Sequence, residues 1–369
     1  MQKIPSKRLI SFDLLRGFFI LVIIIDHLQR WPGISDWLTG QGRLWVSAAE
    51  GFILISGIMI GLIRGYKDSS LPIIVVAKKL WTRAFILYVW SIITSALILG
   101  LTMVWKVEYS PFPPGTDSIN NPGDFFGALL QFINLSAVFG WANFLVLYAV
   151  FLAFSPLAIL LLRRGQWLVL LSASVFIWLV GLGKDNMFLS WQILFFGGSI
   201  FGYYYHDLNI KWSKLKNKKL IKRTIFYTSA FLLAVSAAIT FGWRFIESDI
   251  SPISKPDFLQ FRLYLDPFFN KVELYPPRLL VAGIVFLGLF MLFTSYQKEI
   301  YKYAGWLLLP FGRHSLFVYI LQSIVVVFVA GLFAKSSNIL VNFLITICTV
   351  LAIWWLTTKV KWLHKIIPS

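Results

Sequence analysis

Apolar positions in this chain run together rather than alternate, giving long hydrophobic stretches such as residues 14–25, 85–101, 167–182, 279–294 and 316–333, separated by polar or basic segments. With their flanks, these stretches are long enough to cross roughly 30 Å of hydrocarbon as helices. An amphipathic period is largely missing from them, as expected of helices surrounded by lipid or by other helices. The predicted spans are residues 9–29, 45–65, 80–104, 141–162, 167–183, 188–206, 224–244, 278–297, 311–333 and 339–358. The expected fold is therefore an all-α polytopic membrane protein with about ten transmembrane helices. Residues 125–139 are apolar but short and directly precede another span, so they read as a re-entrant or interfacial helix. Loops 30–44, 105–140 and 245–277 fall on one side, the last two long and rich in Pro, Asp, Asn and aromatic residues. No transporter-like internal repeat is visible, and residues 1–369 read as a single membrane-embedded domain.

Composition agrees: 58% of the 369 residues are hydrophobic and 14% charged, values that exclude an ordinary soluble domain. The net charge of +18 would suit a nucleic-acid partner, but its placement removes that need. Ten crossings that start in the cytoplasm put about twenty-two of the 34 basic residues on the inner side, the positive-inside bias, with both termini cytoplasmic. No nucleic acid is implied. The Lys211 to Arg223 run reads as topological anchoring with anionic-lipid contact. The first span carries Asp13 and Arg16 and lacks a small-residue cleavage site, so it is expected to stay attached. Cys348, the single cysteine, lies in the last apolar run and reads as core filler; it excludes an intrachain disulfide or a cysteine-based metal site. The four histidines are too dispersed for a zinc cluster, and no metal or bound cofactor is expected.

Charges in the middle of a membrane helix cost several kcal/mol, so Asp13, Arg16, Asp26 and His27 on the first span need an explanation. Arg16 and His27 are eleven residues apart, which places both on one face about 16 Å from each other. Asp13, three residues before Arg16, can pair with it. The stripe could line a path through the membrane; the plain alternative is a buried Asp13–Arg16 ion pair with an interfacial histidine. Trp31, Trp37, Trp45 and Trp141 suit an interface belt better than a sugar platform.

Arg16-Gly17 followed by His27 resembles the first helix of acyltransferase-3-type membrane acyltransferases. The run from Ala48 through Glu50 and Phe52 to Ser56-Gly57 resembles their second-helix Phe-Phe-x-x-Ser-Gly signature, and Arg83 resembles their arginine before the third span. More narrowly, Phe12-Asp13-Leu14-Leu15-Arg16-Gly17, Asp26-His27, Ala48-Ala49-Glu50-Gly51-Phe52, Trp191-Gln192 with Phe195, Gly197 and Gly198, and Phe311-Gly312-Arg313-His314-Ser315 resemble the OpgC family, which succinylates osmoregulated periplasmic glucans. The resemblance is most specific over residues 8–66 and absent from the long loops.

What the resemblance implies is a multi-pass O-acyltransferase of the bacterial cytoplasmic (inner) membrane. Its donor would be an acyl-CoA, here succinyl-CoA, a co-substrate rather than a bound cofactor; its acceptor would be a periplasmic carbohydrate. Acyl transfer to a hydroxyl needs a base and a polarised carbonyl. His27 is the candidate base, Glu50 its candidate orienting or acceptor-binding partner, and Asp26 ranks behind Glu50. Arg16, Arg83, Arg313 and His314 are candidate donor ligands, with Asp13, Asp26 and Ser56 in support. The rival readings are a transporter or flippase using the same stripe, a different lipid or polysaccharide acceptor, and an inactive membrane subunit.

Overall fold

The computed structural model describes residues 9–105, 125–135, 140–246, 253–334 and 336–368; the loop segments predicted at 106–124, 136–139 and 247–252 lie outside them. The described residues are helical, with no strand among them. Helix α1 (Ile10–Leu28) is the centre of the molecule, with twelve of its 19 residues buried. A loop carrying the short α2 (Asp36–Thr39) leads to α3 (Ala48–Ile60), which widens into a π-type coil over Gly61–Lys67. Then come α4 (Ile73–Trp105), α5 (Phe125–Ile133), α6 (Asn143–Arg163), α7 (Trp167–Gly181), α8 (Met187–Tyr203), α9 (Tyr205–Lys214) and α10 (Lys218–Ile246). The chain continues through α11 (Lys255–Leu265), α12 (Pro276–Ser295), α13 (Gln297–Arg313), α14 (Ser315–Leu332), α15 (Ile339–Lys359) and the terminal turn α16 (Leu363–Ile366).

Among the described residues, seven helices are long and apolar enough to cross a membrane: α3 with its π extension, α4, α6, α10, α12, α14 and α15. The other three predicted spans fall on α7 and α8, which have 15 and 17 residues, and on α1, which carries Asp13, Arg16 and Asp26. Residues 298–310, expected as a loop, form most of α13. Its Gly305, Leu308, Leu309, Phe311 and Gly312 are buried while Lys298, Glu299 and Lys302 face outward, an amphipathic pattern that a search for continuous apolar runs passes over. The basic run at 211–223 likewise divides between the end of α9 and the start of α10. The short helix predicted within 125–139 is present as α5, and its Ala128 and Phe132 pack on Leu99 of α4. Cys348 is a correction: it is exposed on α15, because the buried face of that helix is built from Asn342, Thr346, Thr349, Val350, Ile353 and Thr357 instead.

Where helices approach closest, glycines allow it. A Cβ on Gly57 would run into the backbone of Phe195, and one on Gly202 into that of Ile58, so α3 and α8 touch backbone to backbone. Gly17 lies on Leu308, and Gly312 on Asp13, in the same way, clamping α1 to α13. Small residues are how helices gain packing contact where lipid offers no hydrophobic driving force between them. Arg30 adds a polar clamp: its guanidinium donates to the carbonyls of Val329, Phe333 and Ala334 at 2.9, 2.6 and 2.7 Å, satisfying the open C-terminal end of α14. Helices α1 and α14 therefore run side by side.

Gly57→Ala or Gly202→Ala should lower stability by about 1–3 kcal/mol through overpacking. Gly197→Ala, where a Cβ meets nothing within 4 Å, should be neutral or slightly stabilising. Thermal unfolding of the three variants in one detergent checks the contrast.

Candidate functional site

Helix α1 presents its polar residues to different neighbours at different depths. Near its end, His27 stacks on Trp141 with ring centroids 3.7 Å apart and meets the edge of Tyr319 at 6.2 Å. The Tyr319 hydroxyl donates to the Trp141 carbonyl at 2.7 Å, fixing both aromatic walls. The imidazole Nδ1 lies 3.2 Å from Gln322 Oε1 on α14. The network sets the polarity of that contact. Ser323 Oγ donates to the Tyr319 carbonyl at 2.9 Å, so it accepts from Gln322 Nε2 at 3.0 Å. That turns Gln322 Oε1 towards the histidine, and a carbonyl oxygen only accepts. Nδ1 therefore carries the proton, and neutral His27 keeps a lone pair on Nε2, the arrangement of a general base held by an orienting partner.

Glu50 is not that partner. It lines the same cavity as His27, but both its oxygens are engaged elsewhere. Its Oε2 accepts from the Ser47 amide at 2.8 Å and from the Ser47 hydroxyl, closing a capping box at the start of α3. Its Oε1 receives Nε of Arg278 at 2.7 Å, and the pair is almost entirely buried. Arg278 also donates to the Phe269 carbonyl at 2.7 Å, so the carboxylate ties the start of α3 to the start of α12 and to the segment before it.

The shared cavity measures about 170 Å³ and is walled by Phe18, Phe19, Val285, Phe286 and Leu289, with Asp26, His27, Glu50 and Lys271 at its polar side. Leu38, Thr39 and Leu44 of the loop after α1 close over it. Lys271 sits on a strap between α11 and α12. Asn270 Oδ1 accepts from the amides of Val272 and Glu273 at 2.7 and 3.3 Å; Trp191 Nε1 donates to the Lys271 carbonyl and Trp178 Nε1 to the Leu274 carbonyl, each at 3.0 Å. Glu273 accepts from the Asp185 amide at 3.2 Å, and the Tyr275 hydroxyl holds its carboxyl below the usual carboxylate range.

Deeper along α1, the Arg16 guanidinium lies 5.6 Å from the Phe52 ring and hydrogen-bonds Tyr148 of α6, with Arg83 and Asp13 in electrostatic reach. Arg16 Nε and Arg83 Nε are both buried without a hydrogen-bond partner among the described residues. Between Arg16 and His27 runs a column of rings: Phe52 to Phe144 at 5.4 Å, Phe144 to Tyr319 at 5.0 Å, then His27. The stripe read from the eleven-residue spacing thus faces one continuous aromatic column. Asp13 pairs with Arg313 at 3.9 Å, across the contact between α1 and α13. Arg313 and His314 line a separate cavity of about 650 Å³ with Lys361 and His364, whose ring stacks on Phe317 at 4.0 Å. Ser56 is buried on α3, its Oγ without a hydrogen-bond partner among the described residues.

Gln322, Arg278, Arg30 and Lys271 were not singled out in the sequence. A glutamine in an apolar helix and a lysine in a long loop carry no local signal; the one cue for Arg278 was an arginine inside a predicted span. Among the described residues no group of three or more His, Cys, Asp or Glu side chains is arranged to hold a metal.

Removing one partner of a buried ion pair leaves an uncompensated charge, so Arg278→Met should cost about 3–5 kcal/mol. Adding Glu50→Gln to it should recover part of the loss, as read by thermal unfolding of the single and double variants.

A family model described as OpgC protein matches residues 8–365. No curated protein and no solved structure matches the chain.

Proposed function

The chain belongs to the OpgC family, and on that premise we propose that it is a membrane O-acyltransferase that moves a succinyl group from cytoplasmic succinyl-CoA to a periplasmic glucan in the bacterial inner membrane. The observation that carries the reading is His27, held through Nδ1 by Gln322 and left with an accepting Nε2 beside a small, mostly apolar cavity. Helices α1, α7 and α8 complete ten crossings, with both termini cytoplasmic. Arg30 and Gln322 then lie towards the outer side and Arg313 towards the inner.

In this scheme Arg83, Arg313 and His314 bind the phosphates of the donor, as guanidinium and imidazolium groups do. The acyl arm follows the column from Arg16, where Phe52 and Phe144 must turn aside to admit it. At the outer end a sugar hydroxyl gives its proton to His27 Nε2 while its oxygen attacks the thioester carbonyl. The C–S bond breaks as the C–O bond forms, and the departing thiolate recovers the proton from the imidazolium. Gln322 acts through His27 as a positioning residue, and Glu50 with Arg278 keeps the cavity walls in register.

His27→Ala should abolish transfer while leaving donor binding intact, whereas Gln322→Leu should lower kcat by about 10–100-fold with KM little changed. Transfer kinetics with radiolabelled donor separate the two, and undiminished turnover in His27→Ala would remove the histidine from the mechanism. Mass spectra of periplasmic and surface glycans from cells with and without the gene should show a succinyl increment lost from a glucan. If neither glycan nor lipid loses an acyl group while the protein is expressed, the transferase reading fails.

A further inference from the structure

Among the described residues Lys271 is the one lysine or arginine lining the His27 cavity, and the strap that carries it is tied by Asn270, Trp178 and Trp191. Neighbouring backbone groups of that strap are taken by Asn270, Trp191 and Trp178, which leaves the lysine side chain as its contribution to the cavity. Its ammonium acts electrostatically on Asp26, His27 and Glu50, yet no hydrogen bond or ion pair holds it among the described residues. Glu50 cannot serve as counter-ion, since Arg278 and Ser47 already engage both its oxygens. Asp26 is the remaining carboxylate in the lining, and its Oδ1 is buried without a hydrogen-bond partner among the described residues. A lysine and a carboxyl group left unpaired between apolar walls are costly unless a ligand comes between them.

The geometry points to Lys271 as the residue that recognises a free carboxylate at the far end of the acyl chain, making the enzyme selective for dicarboxylic over simple acyl donors. The inference rests on the acyl-transfer reading above. Asp26 takes the complementary part, accepting a hydrogen bond from a hydroxyl of the acceptor beside His27. Ligand pockets for drug-sized molecules run to about 300–1,000 Å³. At about 170 Å³ this cavity suits a short acyl chain against the edge of one sugar. An ammonium on a flexible stem suits a carboxylate that arrives and leaves with each turnover.

The test uses the purified full chain with succinyl-CoA and butyryl-CoA, donors of equal length that differ in the terminal carboxylate. Lys271→Met should raise KM for succinyl-CoA by about tenfold or more and leave butyryl transfer within about twofold, while Lys271→Arg keeps the succinyl preference. Equal losses with both donors would assign the lysine to the acceptor or to the fold and overturn the inference, as would no loss with either. A second readout is independent of turnover: succinate, but not butyrate, should raise the Tm of the wild type, and Lys271→Met should abolish that rise. If the wild type transfers from neither donor, the acyl-transfer reading falls, and Lys271 as a carboxylate ligand stands or falls on the Tm shift alone.

Discussion

A helix that takes two carboxylates, an arginine and a histidine into an apolar interior persists only if other helices supply what water would have supplied. Helix α1 meets that condition for three of the four, with partners drawn from most of the chain. Asp13 meets Arg313, Arg16 meets Tyr148 and the face of Phe52, and His27 meets Gln322. Just beyond the helix, Arg30 satisfies the carbonyl end of α14. Because these partners sit on α3, α6, α13 and α14, satisfying one helix brings four others into register around it.

The same constraint explains why recognisable motifs fall where they do. Gly17 and Gly312 are where α1 and α13 touch, so the Arg-Gly and Phe-Gly-Arg-His sequences are two halves of one contact. Gly57 and Gly198 bring α3 against α8, at the backbones of Phe195 and Leu54. Trp191 and Gln192, adjacent in sequence, point their polar atoms at different neighbours: the indole holds the strap that bears Lys271, and the amide meets Ser174 of α7. Much of the family resemblance is therefore packing that positions the site rather than chemistry within it.

Within that frame the cavity beside His27 separates work that one carboxylate would otherwise have to share. Glu50 is committed to Arg278 and the capping box, and its place is structural. Orientation of the imidazole falls to a neutral amide, which fixes the tautomer without adding a charge next to the ring. Asp26 and Lys271, which no neighbour claims among the described residues, are the groups left facing the cavity. A membrane interior tolerates such groups where function requires them.

By itself the sequence determined the helical membrane character, the position of most helices and the polar face joining Arg16 to His27, since continuous apolar runs and a 3.6-residue period are local properties that need no partner. It also set His27 and Glu50 at a similar depth, at the loop-proximal ends of α1 and α3, where the structure puts both beside one cavity. Only the tertiary structure decided which side chain orients His27, because Gln322 is 295 residues away and looks like any polar residue in an apolar helix. It likewise assigned Glu50 to Arg278, Arg30 to the end of α14 and Lys271 to the cavity, three long-range pairings. The physical reason is common to all of them: the bilayer dictates where apolar residues lie along the chain, whereas the partner of a buried polar group depends on which helices pack together, and that is a property of the whole assembly.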